Sequence, residues 1–166
     1  PDMAWLDPLG TLLFVAGITE QLRLGTTVLI LPYRQPVVTA KQLATLDVLS
    51  NGRVILGAGI GWMREEAEIL GMPWDNRGKR SDEQLALFHT LFNDAIPEFS
   101  GKYYQIPKVG FEPKPIQSPF PIWIGGASEA AFRRTAEFGT GFHAAFQPLE
   151  LVVEEYAKVR KYAEAK

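Results

Sequence analysis

Two short glycine clusters, "LGAGIGW" at 56–62 and "IGGASE" at 124–129, are where this chain has the means to do chemistry. Gly57, Gly59 and Gly61 recur at alternate positions after the apolar run Val54-Ile55-Leu56, and Trp62 follows at once. Gly125 and Gly126 follow a second apolar run, and Ser128 stands where it can cap a helix beginning at Glu129. Bare backbone at a strand end serves either a turn or the close approach of a ligand. The free N–H groups and positive dipole end of a helix suit an anion such as a phosphate. Taken singly, each cluster is better explained by an ordinary strand-to-helix turn. Taken together on one face, they suit a flat, wide ligand with an anionic tail.

Other side chains offer less. His143 lies in a strand near its carboxyl end, where it either faces a substrate or is structural. His89 sits in a helix between Phe88 and Leu91 and reads as packing or surface. Arg133 and Arg134 read as solvated residues of the helix begun at Glu129, and Glu65 and Glu66 as carboxylates favoured at a helix start. Trp62, Trp74 and Trp123 could line a pocket, although aromatic core is the default. No side chain is assignable as a general acid or base. With no cysteine and only two histidines, disulfides and thiolate metal sites are excluded and no metal is expected.

The elements that position these residues alternate. Helices are expected over 9–21, 36–50, 64–70, 81–93, 129–138 and 149–164. Strands are expected over 24–31, 53–58, 121–124 and 141–146. Residues 24–31 are nearly continuous in apolar character, as in a strand covered on both faces. Ser81 is the expected N-cap of the 81–93 helix. Residues 97–120, with five prolines and two glycines, read as an irregular insertion of extended segments and turns. Strand–helix alternation means parallel strands with right-handed crossovers. A doubly wound sheet and a (β/α)8 barrel both fit. The glycine spacing is Gly-x-Gly-x-Gly rather than the dinucleotide fingerprint Gly-x-Gly-x-x-Gly, and a barrel typically takes about 250 residues.

The 166 residues are 46% hydrophobic and 22% charged, which suits one domain with its own core. A net charge of −2 with interspersed signs gives no nucleic-acid footprint and no membrane-binding face. The apolar run 12–18 is far shorter than the roughly 20 residues that span a bilayer, and it lacks the basic flank of a signal peptide. A cytoplasmic location is therefore expected. The first residue is Pro1 rather than methionine, and a fragment of a longer chain is expected.

The blocks 23–71 ("RLGTTVLILPYRQPVVTAKQLATLDVLSNGRVILGAGIGW…"), 76–92 ("NRGKRSDEQLALFHTLF") and 111–142 ("FEPKPIQSPFPIWIGGASEAAFRRTAEFGTGF") together resemble the luciferase-like monooxygenase family. The resemblance is nearest to its deazaflavin (coenzyme F420) dependent oxidoreductases. It implies an α/β fold, a (β/α)8 barrel, of which this chain is a central part: the third to sixth strands, with two missing on each side. It implies F420, or alternatively FMN, at the carboxyl face and a small organic substrate, with a homodimer possible. Thr27-Val28 matches a position where relatives have a non-proline cis peptide behind the cofactor ring. Gly59, Gly61 and Trp62 match the loop bordering the ring, and Glu65 a polar position one turn on. Gly125, Gly126, Ala127 and Ser128 match the segment meeting the cofactor's tail. Arg77 matches a phosphate contact of FMN users, where the next residue is often tyrosine; here it is Gly78. His143 is the substrate-pocket candidate. The implied reaction is hydride transfer between F420 and an organic substrate. The alternatives are an FMN monooxygenase using O₂, or a non-catalytic flavin-binding or structural remnant.

Overall fold

Four parallel strand positions run side by side in chain order in the structure, a computed structural model that describes residues 5–144 and 147–165. The first position is split into β1 (Leu24–Gly25) and β2 (Leu29–Ile30). Both pair with β3 (Val54–Gly59), which pairs with β6 (Ile122–Gly125), which pairs with β7 (Gly141–His143). The crossovers carry the helices α2 (Pro36–Leu49), α4 (Arg77–Asn93) and α5 (Glu129–Phe138), with the short α3 (Arg64–Ile69) after β3. Helix α1 (Pro8–Ile18) precedes the sheet and α6 (Leu149–Glu164) follows it. The strand–helix order expected from the sequence is that of a partial barrel.

The two faces of the sheet differ. Leu56 is registered with Ile122, and Ala58 with Ile124, and all four are buried under the helices. The alternate residues Gly57, Gly59, Trp123, Gly125, Gly141 and His143 share the opposite, inner face. Four of these six positions are glycine, and a Cβ at any of the four would crowd a neighbouring residue. Trp123 takes up space that Gly141 leaves: a methyl at Gly141 would approach the Trp123 ring, with its Cγ at 3.1 Å.

The expected continuous strand over 24–31 is interrupted. Leu24 and Gly25 oppose Val54 and Ile55, whereas Leu29 and Ile30 oppose Ala58 and Gly59. From Gly25 to Leu29 is four steps, and from Ile55 to Ala58 three, so the first strand holds one extra residue. That bulge lets Leu24 and Leu29, five apart, both bury on the helix side. It contains a cis peptide between Thr27 and Val28.

Other boundaries differ for local reasons. Helix α1 stops at Ile18, because Thr19 is extended. Helix α4 begins four residues before Ser81. Ser81 is fully buried inside it and donates its hydroxyl to Arg77 O at 2.9 Å instead of capping. Arg134 is not solvated: it is buried, pairs with Asp82 and donates to Gly78 O, tying α5 to α4. Residues 97–120 contain a small hairpin, β4 (Phe99–Ser100) with β5 (Gln105–Ile106). Glu83 of α4 holds its turn by accepting the N–H groups of Lys102, Tyr103 and Tyr104 at 2.6–3.0 Å. The last strand is seen over Gly141–His143; residues 145 and 146 of its expected range lie outside the described residues.

Candidate functional site

Val28 is the centre of the carboxyl end of the sheet. The bulge turns its side chain onto the inner face, where it remains 37% exposed. Beneath it lie two glycines. A methyl on Gly59 would overlap Val28 Cγ2, and one on Gly125 would come within 3.0 Å of Val28 Cγ1. Gly57 is required for a related reason: a Cβ there would overlap the carbonyl oxygen of Thr26, whose hydroxyl donates to Gly57 O at 2.8 Å. The bare backbone of Gly57, Gly59 and Gly125 is thus filled by the bulged neighbour strand rather than left open. What faces inward is Val28 itself, an apolar platform raised on glycine.

Gly61 differs from the other three. It has φ +79°, a left-handed conformation that glycine adopts freely. Its carbonyl accepts from Arg77 Nε at 3.4 Å, while Arg77 Nη1 donates to Trp74 O and the guanidinium stacks 3.7 Å over the Trp74 ring. Arg77 therefore fastens the 61–74 loop to the start of α4. Tyr33 donates its hydroxyl to Met63 O at 3.0 Å in the same loop. Burial, then the Glu66 carboxylate, push the Tyr33 hydroxyl above its usual pKa. Trp62 and Glu65 are exposed, and neither side chain makes a hydrogen bond among the described residues.

On the β6 side, Gly126 has φ +121° and Ser128 caps α5, its Oγ accepting from Ala131 N at 3.2 Å. Gly126 and Ala127 line a cavity of about 150 Å³ together with Phe142, His143, Gln147 and Glu155. On the β2 side, Val28, Ile30, Tyr33, Arg34 and Glu66 border a wider cleft of about 660 Å³. Of the sequence candidates, Val28, Gly59, Gly125 and His143 meet on one inner surface, and Thr27 precedes Val28 in the bulge. Gly61 and Arg77 form its loop border, and Gly126 to Ser128 its helical border. Trp62 and Glu65 stand outside that packing. Glu155 was not singled out from the sequence; its signal is a carboxylate in the buried stripe of α6, four residues before the buried Val159. Among the described residues no cluster of side chains could hold a metal ion, and no helix is long and apolar enough to cross a membrane.

Comparison with known proteins agrees with the fold. A family model for luciferase-like monooxygenases matches residues 1–166. An uncharacterised protein of Mycobacterium tuberculosis is 39% identical over 137 residues, which is 82% of this chain and 47% of that one. The FMNH(2)-dependent dimethylsulfone monooxygenase of Pseudomonas putida is 35% identical over 117 residues, 68% of this chain and 32% of that one. The coenzyme F420 dependent tetrahydromethanopterin reductase of Methanopyrus kandleri superimposes with a TM-score of 0.83 at 22% identity, over 96% of this chain and 50% of that one. The chain spans about half the length of the first of these relatives. With the family model spanning all 166 residues and the partial barrel in place, this chain belongs to the luciferase-like monooxygenase family.

Proposed function

We propose that this chain is the cofactor-holding part of a barrel oxidoreductase that uses coenzyme F420 to move a hydride to or from a small organic substrate. The observation that carries the reading is the placement of Val28 over Gly59 and Gly125 beside the N-terminus of α5. A planar ring fits against a raised apolar platform, and an anionic arm fits the helix end. Gly126, Ala127 and Ser128 would hold the arm through backbone N–H groups, and the dipole of α5 favours its charge. Thr27, Val28, Gly59 and Gly61 would border the ring. When bound, the deazaflavin supplies the hydride chemistry and the protein supplies orientation and a dry surface.

The deazaflavin is preferred to FMN because of Arg77. Its guanidinium is held by Gly61 O and Trp74 O through two of its five N–H donors and stacked on the Trp74 ring, and Gly78 brings no hydroxyl. The phosphate contact implied for FMN users is correspondingly weak here. The wider cleft bordered by Val28, Tyr33 and Arg34 suits an organic substrate with a polar end. Fluorescence titration of the purified chain with oxidised F420 and with FMN tests the proposal. Tighter binding of F420, and oxygen-independent reoxidation of its reduced form by a substrate, are expected. Preference for FMN with oxygen consumption would replace it by the monooxygenase reading, and binding of neither would overturn both.

A further inference from the structure

Three of the four buried side-chain polar atoms that lack a hydrogen-bond partner among the described residues line one small cavity: His143 Nδ1, Gln147 Oε1 and Glu155 Oε2. Glu155 is only 5% exposed, on the face of α6 that also buries Val159. An apolar residue would bury there without penalty, whereas a buried polar group costs stability unless it is hydrogen-bonded. The carboxylate and the amide oxygen are both acceptors. With Glu155 ionised and the Gln147 oxygen facing the cavity, His143 Nδ1 is the one of the three atoms that can donate, and it does so by carrying the ring proton. At about 150 Å³ the cavity also has room for waters that relay such a bond.

The opposite edge of the same ring looks elsewhere. His143 is registered with Gly125, and its Cδ2 lies 3.7 Å from where a Gly57 side chain would begin. Cδ2 is bonded to Nε2, so the Cδ2–Nε2 edge lies over the glycine floor of the inner face. We infer that Glu155 is a positioning residue: it fixes His143 in the Nδ1–H tautomer, directly or through a water, and so presents the Nε2 lone pair to the inner face as an acceptor for a hydroxyl-bearing substrate. The use of Nε2 by a substrate rests on the proposed function, but the tautomer does not.

The chain contains its own control. His89 Nε2 lies 3.1 Å from Phe138 O, an acceptor, so His89 must carry its proton on Nε2. The two histidines are therefore expected to hold opposite tautomers. Long-range ¹H–¹⁵N correlation spectra of the ¹⁵N-labelled full chain at alkaline pH read this directly, with His143→Asn assigning the signals. The expected result is an Nε2–H pattern for His89 and an Nδ1–H pattern for His143. Glu155→Leu should release His143 to the Nε2–H form and leave His89 unchanged, while Glu155→Gln, which keeps an acceptor, should retain Nδ1–H. An Nε2–H pattern for His143 in the unaltered chain overturns the inference, whether or not any variant folds. So does a folded Glu155→Leu chain with the tautomer unmoved. A chain with the Nδ1–H pattern that binds neither F420 nor FMN would sustain this inference and defeat the proposed function.

Discussion

The two ends of the sheet treat their polar groups in opposite ways. At the amino end, Arg53 is 9% exposed and has no carboxylate partner among the described residues, yet every guanidinium donor is used. Its Nε donates to Ser50 O at 2.6 Å, Nη1 to Thr19 Oγ1 and Leu22 O, and Nη2 to Ala16 O and Thr19 O. Ala16 O lies in the last turn of α1 and Thr19 O at its C-cap, so the cation also faces the negative end of a helix dipole. Nearby, the fully buried Asp47 accepts from Ile116 N, Gln117 N and Gln117 Nε2 at 2.7–3.0 Å. At the carboxyl end, by contrast, Glu155, Gln147 and His143 keep unmatched atoms, and Val28 and Trp62 keep apolar surface in the open. Saturated buried networks hold a fold together. Unsaturated ones at the ligand-bearing end of a parallel sheet are where a molecule from outside can complete the valence.

The most forceful way to break that contrast is at Arg53. Arg53→Ala strands four buried or half-buried carbonyls and opens a cavity, and should lower unfolding free energy by about 3–5 kcal/mol. Arg53→Lys should recover less than half, because an ammonium has three donors and no planar fork. Urea denaturation measures both. Cofactor affinity per folded molecule should be unchanged. If the Arg53 variants instead weaken binding without loss of stability, the division between the ends is wrong.

How much of this division was legible in the sequence follows from the range of the forces involved. The strand positions and helix order were readable, since each rests on local apolar periodicity. Glycines 57, 59 and 125 were readable as bare backbone serving a turn or the close approach of a ligand, and the space over them is taken instead by the chain's own residues. What fills that space was not readable: it is Thr26 and Val28 of the neighbouring strand, put there by a one-residue bulge. An almost unbroken apolar run over 24–31 hides the change of face that buries both Leu24 and Leu29. The start of α4 at Arg77 depends on the stacking with Trp74, and the burial of Arg134 on Asp82, 52 residues away. Glu155 carried a signal within α6, but its meaning needs His143 on another element.

A sharper test lies at the platform. Gly59→Ala puts a methyl into Val28 Cγ2 and should cost about 1–3 kcal/mol by overpacking. Val28→Ala in the same chain removes the overlap, so the double variant should be more stable than Gly59→Ala alone. The coupling energy in the cycle should be about 1–2 kcal/mol. Additive costs would mean that the glycine is needed for some reason other than Val28. Both single variants should weaken the cofactor, Gly59→Ala by lifting the platform and Val28→Ala by lowering it.

The smallest effect on stability is expected at Trp62, and it separates the two ends most cleanly. The ring is 79% exposed and makes no hydrogen bond among the described residues. Trp62→Ala should leave the urea midpoint within about 0.5 kcal/mol of the unaltered chain. A large aromatic face kept in water next to a left-handed glycine contributes nothing to the core among the described residues, and the proposed function gives it a cofactor ring to border. If it borders the cofactor ring, losing the aromatic contact should remove about 0.5–1.5 kcal/mol of binding, a several-fold to roughly tenfold rise in Kd. Unchanged affinity would take Trp62 out of the site and leave Val28 and its glycine floor as the ring's only wall on this side. A fall in stability would show instead that the exposed indole belongs to packing, which is the reverse of what the carboxyl end of this sheet otherwise displays.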